Sequence, residues 1–306
     1  MPKHFKLRKD LSIEWWGRLL YRIEATEDMP HREVYKGNLG GFVQSEDNLS
    51  GDAWIFGNAK VYGNSVVYGS AEVCDEAEVY GDVRVFGNAK VCDNAEVYGE
   101  ARVFVHAEIL GNARVCGDAK VCGNARVLEN AKVCDKAEVY GDAEVFGNAQ
   151  VYGYAGVSGC AKVSGNAQVC GTARVYGVAE ICEEAIVSGD ATVCGIAKVY
   201  GCSSVFGNAE VSGNTTVFGR AEVSGNSMIS GNAEIASTKD YIVFKNFWSS
   251  GRHFTWTRSN NMWKVGCFYG PGEELVAKAY RDSEESGDHY KMFVDFVNEQ
   301  ILKKEK

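Results

Sequence analysis

Proline is nearly absent, with 3 in 306 residues, which excludes collagen-like and proline-rich disordered architectures. No stretch approaches the roughly 18 consecutive apolar residues of a membrane-spanning helix. The N-terminus, MPKHFKLRKDLSIEWW, lacks the apolar core and cleavage site of a secretory signal, so a soluble, cytoplasmic chain is expected. The 11 cysteines contain no CxxC pair, which removes the usual mark of a zinc or dithiol redox site. Reduced thiols and no metal are therefore expected. Positive charge is in the minority, with 32 Lys plus Arg against 41 Asp plus Glu and a net charge of −9. Residues 51–236 hold 13 of the cations and 23 of the anions, a net of −10, and the two ends together carry +1. An acidic segment cannot bind nucleic acid by neutralising phosphates, so a nucleic-acid partner is not expected.

What the chain has in abundance is one repeat. From Ala53 a small residue recurs every six positions as far as Ala233, and Val or Ile follows two places later from Ile55 to Ile235, giving 31 hexads without an insertion. Units read GNAKVY (57–62), GDAKVC (117–122) and GNAEVS (207–212), and Val43 and Leu49 keep the same phase. In an extended segment the small residue and the Val share one face, and the residues between and after them share the other. Gly with Asn or Asp supplies a corner. Strand plus corner in six residues predicts a triangular coil, with three hexads closing one turn of 18 residues.

That period can be tested on the outward residues. Read every 18 positions, Glu72, Lys90, Glu108, Arg126, Glu144, Lys162, Glu180 and Lys198 alternate in sign at every step. Stacked on adjacent rungs ~4.8 Å apart, each carboxylate would lie between two cations. A second line, Arg84, Arg102 and Lys120, is uniformly basic. It reads either as a solvated stripe or as a site for an acidic partner.

The residue after each Val is aromatic in 14 of the 30 units from Phe56 to Ser230, Cys in 8, Leu in 2 and Ser in 6. All the Ser residues lie beyond residue 157, so the N-terminal half carries outward apolar ladders: Tyr68, Phe86 and Phe104 on one face, Tyr62, Tyr80 and Tyr98 on another. Such ladders are either an interface or intrinsic packing of ring on ring. These six rings with Arg84, Arg102 and Lys120 are the candidate partner-binding residues. Cys74 with Cys92, and Cys116 with Cys134, are 18 apart and would sit on adjacent rungs. They are within disulfide reach there but are expected to act as small reduced hydrophobes.

The array resembles the hexapeptide-repeat, left-handed β-helix superfamily of trimeric acyltransferases, in which a small residue follows an aliphatic one by four places, as Ser65 follows Val61 and Ala95 follows Val91. More closely, KGNLGGFVQSEDNLSGDAWIFGNAKVYGN (36–64) is similar to the entry segment of YdcK-like hexapeptide proteins and of related phage and prophage proteins. The resemblance implies an all-β fold: a left-handed parallel β-helix of about ten 18-residue coils. It departs from the acyltransferase pattern where Tyr, Phe, Cys or Ser stands in place of Gly after the aliphatic residue. Those enzymes use a His as base and bind an acyl-thioester between neighbouring prisms, often beside an extruded loop. This array extrudes no loop, and its one histidine, His106, is the sole catalytic candidate. His4, His31, His253 and His289 lie outside the array with no nucleophile or metal-ligand pattern.

The ends differ in kind. Residues 1–50 hold strand-like runs, LSIEWW and RLLYRIEA, and read as a small β cap with entry coils; residues 51–236 are the solenoid. Residues 237–306 read as an α+β cap with β-rich runs at 241–248, 253–258 and 262–270, then helices in EELVAKAYRDSEES and HYKMFVDFVNEQILKK separated near Gly287. Caps are required because a terminal rung offers unpaired backbone. The expected function is a non-catalytic scaffold that engages a protein partner or self-assembles, needs no cofactor, and, by the phage resemblance, could inhibit a bacterial defence system. The alternatives are an acyltransferase and a sponge for small molecules such as nucleotides.

Overall fold

Each hexad folds as its pattern dictates. The small residue and the Val or Ile are buried in every unit, nearly all at 0% exposure, and the two residues beside the Val face outward. The structure is a computed structural model that describes residues 3–302. Residues 18 apart pair in parallel register in three sheets. The charged face runs from Trp54–Ile55 to Glu234–Ile235, and the basic face from Val66–Val67 to Met228–Ile229. The third, or hairpin face, runs from Leu39–Val43 to Glu222–Val223. Val43 pairs with Val61, and Leu49 bridges to Val67. The two degenerate units therefore occupy full rung positions, and the solenoid has about eleven coils rather than ten. At ~4.8 Å per rung it is roughly 50 Å long.

The corner explains the sequence between strands. Its first residue has positive φ and is usually Gly, because a side chain there is strained. Five corners carry Asp75, Asp93, Glu129, Asp135 or Glu183 instead. Each of these carboxylates accepts a backbone N–H one rung on, from Asp93, Gly111, Gly147, Gly153 and Gly201, at 2.7–3.2 Å. The added hydrogen bond offsets the strain. The second corner position forms an amide ladder through Asn94, Asn112, Asn130, Asn148 and Asn166, each Nδ2 donating to the next Oδ1 at 3.0–3.3 Å.

Backbone N–H groups in each rung donate to the following rung, as Trp54 does to the Ala71 carbonyl at 3.1 Å. The last rung therefore has donors without a successor. The C-terminal cap supplies acceptors: Thr255 Oγ1 for Met228, Ser259 Oγ for Glu234 and the Tyr241 hydroxyl for Ser224, at 2.7–3.2 Å. At the other end the antiparallel hairpin Phe5–Trp15 and Arg18–Ala25 extends the hairpin face, and the ring Nε2 of His4 lies 3.0 Å from the Ala53 carbonyl of the first full coil.

The C-terminal cap differs from expectation in two places. The run 262–270 is two strands, Met262–Val265 and Phe268–Gly270, because Gly266 turns the chain at φ 54°, so the sheet has four strands. The helices Gly272–Asp282 and Glu284–Val297 divide at Ser283, whose Oγ accepts the Ser286 N–H at 3.1 Å as an N-cap. Gly287 lies inside the second helix, where a Cβ would come within 2.1 Å of the Tyr280 ring. The end of the second helical run, 303–304, is outside the described residues.

The cysteine expectation is also corrected. Cys74 is joined to Cys92, and Cys116 to Cys134, as disulfides. Rung stacking holds the Cα atoms 4.5 and 4.6 Å apart, inside the range a disulfide spans.

Candidate binding face

The structure separates the candidate residues onto two faces. On the basic face, the strands Arg84–Gly87 and Arg102–Val105 pair in register, so Arg84, Arg102 and Lys120 occupy successive rungs with Phe86 and Phe104 beside them. The rings of Tyr68, Phe86 and Phe104 stack with centroids 4.8 and 4.9 Å apart and planes within 5°. They are half-buried in a single chain, so part of the apolar ladder is intrinsic packing. Lys120 reaches Glu138 at 2.7 Å. Arg84 and Arg102 are exposed and form no ion pair among the described residues.

Tyr62, Tyr80 and Tyr98 stack in the same way on the hairpin face, at 5.1 and 5.2 Å. There the N-terminal hairpin covers the start of the ladder. Trp15 Nε1 and the Tyr62 hydroxyl both donate to Glu78 Oε2, at 3.1 and 3.0 Å, and the Lys60 ammonium lies 4.5 Å from the centre of the Trp15 ring. Tyr62 is 6% exposed. Burial first, and the Glu78 charge second, push its hydroxyl pKa well above the ordinary value. This ladder seats the cap.

The charged face shows what the same repeat does when its charges are matched. Lys90 pairs with Glu72 at 3.3 Å, Arg126 with both Glu108 and Glu144 at 3.2 Å, Lys162 with Glu144 at 3.1 Å and Lys198 with Glu180 at 3.1 Å. The register read from sequence is there, but of the carboxylates only Glu144 pairs with the cations on both sides, and among the described residues Lys90 with Glu108 and Lys162 with Glu180 form no ion pair. Each exposed pair contributes only about 0–1 kcal/mol.

His106 stands exposed at a corner behind Val105, whose φ of 70° is the only β-branched entry into the left-handed region among the described residues. That backbone is strained. No described side chain hydrogen-bonds the imidazole.

One feature of the basic face was not singled out from sequence. Glu138, Gly156 and Arg174 are in register on three rungs, and the residues after the Val on those rungs are Tyr140, Ser158 and Tyr176. The middle rung is low, and with Tyr154 at its corner and Lys136 at the corner one rung before it makes a slot of about 480 Å³. Tyr140, Tyr154 and Tyr176 are 45%, 64% and 43% exposed. A hydrogen bond with Cys194 raises the Tyr176 hydroxyl pKa. The signal was available, because Gly156 is the only Gly between a small residue and its Val, and Tyr154 is the only Tyr, Phe or Trp at its corner position.

No helix among the described residues is long and apolar enough to cross a membrane. No protein-family model matches the chain, and no curated protein is similar enough to count as a relative. The parallel β-solenoid is therefore established by geometry alone.

Proposed function

We propose that this protein is a non-catalytic binding scaffold, a rigid solenoid that presents its basic face to an acidic protein surface, on a partner or on a second copy of the chain. One observation carries this reading. Arg84 and Arg102 are exposed on adjacent rungs, without a carboxylate, beside the stacked rings of Tyr68, Phe86 and Phe104. Like charges in register destabilise a sheet, and the charged face shows that the repeat readily accommodates alternation. Arg and aromatic side chains are also the residues that anchor protein interfaces. The array as a whole is acidic, net −10 over 51–236, which makes a second copy of the chain one suitable occupant. Inhibition of a bacterial defence system by occlusion is a more specific form of this reading and rests on the sequence resemblance alone.

The test compares the native protein with Arg84→Glu/Arg102→Glu in affinity capture and in light scattering. Loss of the captured protein, or a fall from oligomer to monomer mass, in a variant that melts normally supports the reading. Unchanged capture and unchanged mass would overturn it.

A further inference from the structure

On the basic face the residues after the Val run Tyr68, Phe86, Phe104, Cys122, Tyr140, Ser158 and Tyr176 on successive rungs. Tyr68, Phe86 and Phe104 follow one another at 4.8–4.9 Å. Tyr140 and Tyr176 occupy the same line two rungs apart, ~9.6 Å at ~4.8 Å per rung, with only Ser158 between them. The opening is one ring deep. Its floor is lowered further by Gly156, which has ordinary backbone angles and nothing within 4 Å of where a Cβ would be. A side chain would fit at 156; its absence leaves the slot open.

The charges around the opening are not balanced. Glu138 is engaged by Lys120 at 2.7 Å, and the Asp135 carboxylate accepts the Gly153 N–H at 3.0 Å. Arg174 makes no ion pair among the described residues, and the Lys136 ammonium has only the Tyr154 ring, 5.2 Å away. Two free cations therefore face a gap between two exposed phenol rings. The Ser158 hydroxyl and Glu138 offer hydrogen bonds to the edge of whatever enters, and the volume of about 480 Å³ falls within the ~300–1,000 Å³ of small-molecule sites.

We infer that this slot binds a flat heteroaromatic ring carrying an anionic group, the chemistry of a nucleoside monophosphate, with the ring inserted between Tyr140 and Tyr176 and the anion held by Arg174 and Lys136. The ligand ring takes the place of a side-chain ring on the Ser158 rung. Base-on-aromatic stacking tolerates different bases, and a guanidinium matches phosphate geometry. This site is separate from Arg84 and Arg102, so its failure would leave the partner reading standing.

The test is calorimetric titration of the full chain with adenosine 5′-monophosphate, adenosine and inorganic phosphate. The monophosphate should bind saturably, and at least tenfold more tightly than either fragment. Ser158→Tyr, which puts a side-chain ring between Tyr140 and Tyr176, should weaken it at least tenfold while melting at or above the native temperature. Gly156→Glu, which fills the floor and occupies Arg174, should do the same and serves as the second variant if Ser158→Tyr misfolds. Arg174→Gln should bring the monophosphate down to the affinity of adenosine. Absence of saturable binding at millimolar monophosphate, equal binding of adenosine or of phosphate alone, or native affinity in both slot-filling variants would each overturn the assignment.

Discussion

Two faces of one solenoid, built from the same hexads around the same core, treat charge in opposite ways. On the charged face Glu72, Lys90, Glu108, Arg126 and Glu144 alternate, and Arg126 is shared by a carboxylate above and one below. On the basic face Arg84, Arg102 and Lys120 follow one another in the same geometry with no acid among them. The backbone spacing is identical, so the difference lies in side-chain choice. The first face pairs most of its charges within the chain; the second leaves Arg84 and Arg102 exposed beside half-buried rings. A repeat protein can therefore be read by where its repeat stops serving stability.

The largest expected effect is indifferent to that contrast and so isolates it. Val121→Asp behind the basic face and Val127→Asp behind the charged face should each destabilise by several kcal/mol, since both side chains are fully buried in one apolar column. Chemical denaturation would show this as two similar losses; a mild effect at either site would mean the core is not continuous. Next, Phe86→Ser/Phe104→Ser removes two stacked, half-buried rings and should cost about 2–4 kcal/mol. Ser stands at this position in later units, so the coil itself should survive, as circular dichroism would show.

Charge reversal should then have opposite signs on the two faces. Arg102→Glu creates an alternating ladder and should stabilise by about 0.2–1 kcal/mol, whereas Arg126→Glu places three acids in a row and should destabilise by a similar amount. Both effects should shrink in high salt. A loss of stability in both variants would end the claim that the faces differ. The smallest change expected is at Gly156→Thr, which supplies a strand-forming side chain in open space and should raise stability by up to about 1 kcal/mol in a thermal melt.

Most of the solenoid could be read from its period. The sign alternation from Glu72 to Lys198 placed residues 18 apart on adjacent rungs, and the structure has that register. The two disulfides follow from the same stacking, yet the assumption of a reducing environment had set them aside. Contacts that cross between unlike segments were not legible. Nothing near Trp15 indicates that it will donate to Glu78, 63 residues away, and cover the Tyr62 ladder. Ser283 displaced Gly287 as the helix boundary because close packing against Tyr280 retains Gly287 inside the helix. The slot at Gly156 escaped notice because its signal is a missing side chain in a pattern read for the residues present.

We propose that the basic face is left unmatched for a partner at the expense of stability. The most direct test measures capture and melting together in Arg102→Glu. The protein retained by the native chain, or its self-association, should be lost while the melting temperature stays level or rises. Retention of the partner at native levels, with the same oligomer mass, would contradict it.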